Sequence, residues 1–320
     1  MIHSFLKRVC RHILLVFVLS LSGFALRAQF RVVGYLPNSL DYEVQYDQIT
    51  HLNLAFENPD SLGRLSFSPN NTAYIEGAHR KGKKVLVSIG GGGASFDTDM
   101  QRRYTTLFDD KNRGQFVSHV ITYLSEHNFD GIDVDLEGPA INEHYDKFIA
   151  DLHRELKPRG KMLTAALTHM NGADKISDQS ILLFDFINVM AYDATGPWRK
   201  DRPGPHASYD FAVESLAYWS SRGLPKNKTV LGVPFYGYGF GNDFNEGMSF
   251  SKIINVYADA EKRDVSGDSV YYNGIPTIRK KAELVRTEKL GGIMIWQLAQ
   301  DTLGAKSLLN TIHQALNRKK

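Results

Sequence analysis

The stretch FDGIDVDLEGP at residues 129–139 decides the fold. Ile132, Val134 and Leu136 alternate with Asp133, Asp135 and Glu137, and Asp130 precedes them. Alternation of this kind predicts a strand, because successive side chains of a strand point to opposite faces. The three acids therefore stand in a row, with Cα atoms about 6 to 7 Å apart, close enough for like charges to resist ionising together. Three accounts fit the row taken alone. It could be a solvated edge strand, a carboxylate site for a hard cation, or a set of acids whose pKa values are pushed apart for proton transfer.

Short apolar runs recur on both sides of this stretch. They lie at 31–37, 51–59, 84–93, 129–137, 162–170, 186–193, 230–239 and 291–298. Between them run helical stripes, among them Phe116, Val117, Val120, Ile121 and Leu124, then Phe148, Ile149, Leu152 and Leu156. Leu308, Leu309, Ile312 and Leu316 follow the last run. Eight strands alternating with helices predict parallel pairing, α/β class and a single (β/α)8 barrel, the TIM-barrel architecture. A doubly wound sheet is disfavoured, because no dinucleotide-type glycine turn follows the first strand. SIGGGG at 88–93 lacks the Lys-Ser/Thr pair of a phosphate loop. Residues 240 to about 278 show no clear periodicity and read as a short excursion between strands seven and eight. In a barrel both faces of each strand are buried, which removes the solvated-edge account. Asp133, Asp135 and Glu137 then point into the lumen, with Glu137 nearest the C-terminal mouth, where barrel enzymes keep their chemistry.

The N-terminus carries Lys7, Arg8 and Arg11, an apolar run from Ile13 to about Phe24, and Ala25-Leu26-Arg27-Ala28. This is the layout of a signal peptide over residues 1–28, cleaved near Ala28, with residues 29–320 as one domain. The expected product is secreted, periplasmic or extracellular, and its apolar runs are too short to span a membrane. Removing Lys7, Arg8, Arg11 and Arg27, with no acid among the lost residues, takes the formal charge from +3 to −1. The basic balance belongs to the leader and argues against a nucleic-acid partner. The single cysteine, Cys10, leaves as well, so the remaining chain is held by its core and not by disulfides.

DGIDVDLE at 130–137 resembles the DGxDxDxE signature of glycoside hydrolase family 18, which contains chitinases and endo-N-acetylglucosaminidases. SIGG at 88–91, MAYD at 190–193, GVPFYG at 232–237 and Trp296 in GGIMIWQL resemble further family motifs in the same order, over residues 31–301. The resemblance implies a retaining glycosidase of β-1,4-linked N-acetylglucosamine, in chitin or chitooligosaccharides. In such enzymes the substrate's own acetamido group is the nucleophile.

By the same resemblance Glu137 is the general acid/base, Asp135 orients the acetamido group, and Asp133 shares a proton with Asp135. Tyr192 hydrogen-bonds the acetamido carbonyl. Crowding among the acids raises Glu137. Trp296 forms the floor under the reacting sugar, with Met190, Asp193, Tyr35, Phe56 and Gly91 as further substrate contacts or site-shaping positions. No metal and no cofactor is implied, and the chain is expected to be monomeric. The family's other branches leave two alternatives, an endo-β-N-acetylglucosaminidase acting on N-glycans and a non-catalytic glycan-binding member. Glu137 argues against the latter, since such members usually lack that glutamate. Gly92, Gly93, Leu136 and Gly138 stand where aromatic residues often follow SxGG or flank the glutamate, and Tyr238 stands where an arginine is frequent. Together with the short excursion, these departures predict few stacking platforms and a weak hold on long chains.

Overall fold

The computed structural model describes residues 30–241 and 246–318. The leader expected over residues 1–28 lies outside the described residues. Eight parallel strands close into a barrel in the order β1 (Arg31–Pro37), β12 (Gly292–Trp296), β7 (Thr229–Pro234), β6 (Phe186–Val189), β5 (Met162–Leu167), β4 (Gly131–Asp135), β3 (Lys84–Gly90) and β2 (His51–Ala55). All eight expected runs supply one barrel strand each. The connection from β1 to β2 is a 3-10 turn, Tyr46–Gln48. The other connections carry helices: α1 (Asn71–Arg80), α2 (Gly92–Phe96), α3 (Thr98–Phe108), α4 (Arg113–Glu126), α5 (Tyr145–Leu156), α6 (Asp178–Leu183) and α7 (Tyr209–Ser221), with α8 to α10 described below.

The period-2 pattern of β4 works as the barrel requires. Ile132, Val134 and Leu136 are fully buried and pack in the layer between sheet and helices. Outside them the stripes of α4 and α5 meet. Phe148 lies on Phe108, with ring centroids 4.1 Å apart, and on Phe116 at 5.4 Å. The lumen holds a second apolar set, including Val33, Phe186, Val230 and Met294.

Most strands are shorter than their apolar runs, and the trimming falls mainly at the C-terminal ends. Phe56, Gly91, Glu137, Met190, Tyr192 and Asp193 lie just past the last ladder residues of β2, β3, β4 and β6. There the backbone leaves the sheet and the side chains turn to the mouth. The run at 230–239 divides. Phe235 N–H donates to the Trp296 carbonyl at 2.8 Å, the last link to the barrel. β8 (Tyr236–Gly239) then joins a four-stranded antiparallel sheet with β9 (Gly247–Ser249), β11 (Val270–Tyr271) and β10 (Val265–Ser266). Among the described residues the aperiodic excursion forms a subdomain of short strands with α8 (Phe250–Val256), and α9 (Ile275–Thr287) starts slightly before its expected end. Strands of two to four residues are too short for a hydrophobic period to register. The helix α10 (Leu308–Asn317) closes the described chain with its expected stripe buried.

Removing one ring from the stack between α3, α4 and α5 leaves a cavity that the parallel rings on either side cannot fill. Phe148→Ala is expected to destabilise the fold by about 3–5 kcal/mol. Urea unfolding followed by circular dichroism reads this directly; a loss below 1 kcal/mol, roughly a surface-substitution effect, would show that the stack carries little.

Candidate active site

Asp133 sits deepest of the three acids and is fully buried. Its Oδ2 accepts from the Tyr35 hydroxyl at 2.6 Å and from Ser88 Oγ at 2.8 Å. Its Oδ1 accepts from Thr164 Oγ1 at 2.6 Å and from Asn188 Nδ2 at 3.3 Å. Burial raises its pKa while these four donors pull the other way. The donors from β1, β3, β5 and β6 have taken the acceptor positions.

Asp135 lies one layer up, 5% exposed, and its Oδ1 is buried without a partner. Burial first, then the charges of Glu137 and Asp133, push its pKa well above the usual carboxylate range. Glu137 is half-buried at the mouth, and its pKa is raised to about 7. The cause is chiefly burial, and secondly the charge of Asp193. Crowding within the row raises Asp135, and Asp193 from the loop after β6 adds to it at Glu137.

The β3 turn fixes the row in place. Gly90 has φ +102°, and a Cβ there would stand 2.1 Å from the Asp135 carbonyl oxygen. Gly91 has φ +77° and donates its N–H to the same carbonyl at 2.7 Å. A Cβ on Gly91 would meet the Phe56 ring at 2.3 Å. A left-handed φ and this close approach leave room for glycine alone. Asn58 clamps the turn, accepting from Gly90 N–H at 2.7 Å and donating to its carbonyl at 3.0 Å.

Above these groups opens a cleft of about 450 Å³. Of the expected site residues, Glu137, Asp135, Tyr192, Trp296, Met190, Asp193 and Phe56 line it. Trp296 and Phe56 stack at 5.6 Å with an interplanar angle of 24° and make an aromatic floor. The Tyr192 hydroxyl is buried and, among the described residues, its one hydrogen-bond contact is with the Met294 sulfur, at 3.9 Å. Two expectations are corrected. Tyr35 is no cleft wall: it is fully buried, donates to Asp133 and packs under Trp296 at 5.6 Å. Gly91 is not a substrate contact either, since the Phe56 ring covers it; Gly92 reaches the cleft instead.

The paucity of aromatic platforms is corrected too. Phe96 is 88% exposed and Trp198 59% exposed, and both line the cleft with Tyr238. Phe96 comes five residues after SIGG and reaches the cleft because α2 carries it there, a displacement that motif spacing does not register. The partners of Asp193, Tyr236 and His206, were not among the expected site residues. Asp193, at φ +61°, accepts from the Tyr236 hydroxyl at 2.5 Å and faces Nδ1 of the buried His206 at 3.2 Å. Tyr236 had a signal in the aromatic pair of FYGYG, whereas His206 lies in an irregular loop with none.

The family model for Glycosyl hydrolases family 18 matches residues 31–301. The structure is similar to the GH18 chitinase ChiB from the chitin utilization locus of Flavobacterium johnsoniae. That likeness has a TM-score of 0.83 at 37% identity, over 90% of this chain and 94% of the other. It shares its fold, at 23% identity and TM-score 0.77, with a catalytic domain of an Ostrinia furnacalis chitinase solved in complex with (NAG)5, covering 91% of this chain and 97% of that one. In sequence it is 26% identical to a Drosophila melanogaster protein described as "Probable chitinase 10", over 85% of this chain but only 15% of that protein's length. With the family's residues lining one cleft at the mouth of one barrel, the chain belongs to glycosyl hydrolase family 18.

Proposed function

We propose that this chain is a glycosidase that hydrolyses β-1,4-linked N-acetylglucosamine in chitin or chitooligosaccharides, with retention, and that it is exported by its N-terminal leader. The observation that carries this reading is the state of the acids. Glu137 stands at the cleft mouth with its pKa raised to about 7, where it keeps a proton to give at neutral pH. Its neighbour Asp135 offers a buried oxygen with no partner. A double-carboxylate glycosidase would need a second acid free to attack or to activate water. Asp133 cannot serve, since four donors fill it below the floor. Asp193 is already engaged by Tyr236 and faces His206, and Asp135 is buried with its pKa raised, so a nucleophile brought by the substrate suits this site.

In that scheme the sugar lies over Trp296 and Phe56, whose rings match the apolar face of a pyranose. The acetamido N–H donates to the free Asp135 oxygen, and Tyr192, with only a weak sulfur contact, donates to the acetamido carbonyl. Held so, the carbonyl oxygen attacks the anomeric carbon as Glu137 protonates the leaving oxygen. In its ionised form Asp135 stabilises the positive oxazolinium ion formed beside it. Glu137, now ionised, takes a proton from the water that opens the ring. The names of the similar chitinases and the (NAG)5 complex support this substrate class. The exposed rings of Phe96 and Trp198 support binding of more than one sugar.

Glu137→Gln keeps the shape and loses the proton, so hydrolysis of chitotetraose is expected to fall by about 100- to 10,000-fold while the oligosaccharide still binds. Activity on a high-mannose glycopeptide alone would replace the substrate assignment, and binding without hydrolysis of either would leave a lectin-like role.

The acid form of Glu137 is the working form, so kcat/KM should fall as pH rises through about 7. A profile flat across neutral pH would mean that another group donates the proton.

Two inversions at the anomeric carbon give net retention. Proton NMR should therefore show the β-anomer first, before mutarotation. An α-anomer would mean direct attack by water.

A further inference from the structure

Lys281 of α9 is fully buried, and the chemistry proposed above does not use it. Holding a lysine in an interior costs free energy, which is offset only where its nitrogen is well bonded. Its Nζ donates to the Ala207 carbonyl and to Asn273 Oδ1, each at 2.8 Å. Asn273 Nδ2 donates to the same Ala207 carbonyl, also at 2.8 Å. Two side chains from the far side of the subdomain thus converge on one backbone oxygen. Asp264, whose charge Lys281 feels, is bonded to Gly274 N–H and Thr277 Oγ1. Burial draws the ammonium pKa down to about 7, and a neutral amine still has hydrogens for both acceptors. The neighbouring Lys280 adds a second grip two residues further on, its Nζ 3.7 Å from the centre of the Tyr209 ring.

Ala207 lies at the end of a loop that closes on itself. Ala194 N–H donates to the His206 carbonyl at 3.0 Å, so the chain leaves and returns at one point. Inside the loop Thr195 Oγ1 donates to the Arg202 carbonyl at 2.6 Å, and Arg199 N–H donates to the Gly196 carbonyl at 2.7 Å. Trp198 belongs to this closed part. Its ring lies over Gly196, where a Cβ would stand 2.2 Å from it, and reaches the cleft beside Tyr238. Just past Ala207, Ser208 caps α7. A loop tied within itself moves as a body, so the hold on this joint decides where the Trp198 ring sits.

We infer that Lys281, with Asn273, is a positioning residue that clamps the joint at Ala207 and so fixes Trp198 as a platform for sugar. The sugar rests on the function proposed above; the clamp does not. Lys281 itself is sealed from the cleft and acts through the loop.

Lys281→Met keeps the apolar stem and removes both donations. Without substrate, amide hydrogen exchange read by mass spectrometry should quicken in residues 194–207 while the barrel strands stay as protected as in the wild type. Unchanged exchange in that segment refutes the clamp, and so does an equal loosening of the barrel. With chitotetraose, KM should rise roughly three- to tenfold, the worth of a displaced aromatic contact, and kcat should fall much less. In a Trp198→Ala background the same substitution should change KM by less than about twofold, because the two residues act as one unit. A full effect in that background, or a loss confined to kcat, refutes action through Trp198. Lys281→Gln, which keeps one donor group, serves if the Met variant fails to fold. A wild-type protein that neither binds nor cuts chitotetraose overturns the proposed function, and the exchange result still decides the clamp.

Discussion

A carboxylate buried in the lumen of a barrel needs donors, and Asp133 draws them from across the closed sheet. Tyr35 comes from β1, Ser88 from β3, Thr164 from β5 and Asn188 from β6. One side chain of β4 therefore ties strands on both sides of it, and two of its partners do further work. Tyr35 also receives Asn188 Nδ2 at 3.1 Å and supports the Trp296 ring. The aromatic floor rests on the acid hub. Burying a polar group costs free energy unless its bonds are made, so this arrangement is sensitive to every member.

The hub also explains the gradient above it. Asp133 is saturated with donors, and its charge is among the causes that raise the Asp135 pKa. Asp135 responds by holding its own proton more tightly, and its Oδ1 is left unpaired. Glu137, at the wetter mouth, is set by burial and by Asp193 of the sixth-strand loop. Three identical functional groups on one strand thus occupy three different electrostatic states, graded by depth. The gradient is made by strand geometry: a period of two puts the acids on one face, and barrel tilt carries them from lumen to rim.

The antiparallel subdomain after β7 contributes in a different way. Its strand β8 begins two residues after the barrel strand ends, delivers Tyr238 to the cleft and sets the buried Tyr236 behind Asp193. Tyr236 bonds Asp193, and Tyr238 packs edge-on against Trp198 at 5.2 Å. The wall that looked too short to matter in the sequence carries an aromatic ring into the cleft.

The sequence by itself determined the barrel and the polarity of its key strand, because alternation and helical stripes are local and each had only one way to be buried. It also determined the family, and it placed Glu137, Asp135, Tyr192, Trp296, Met190, Asp193 and Phe56 at one cleft, because the residues just past successive strand ends converge there. The tertiary structure alone decided what each group touches. Tyr35 turned out to be a support under the floor and Gly91 a seat for Phe56. Phe96 reached the cleft from a helix, the acid next to Glu137 in effect was Asp193, and His206 arrived from an irregular loop. Those facts depend on side chains far apart in the chain meeting in a low-dielectric interior, where a hydrogen bond or a charge a few ångströms away decides the state of a group. No local pattern encodes such a meeting.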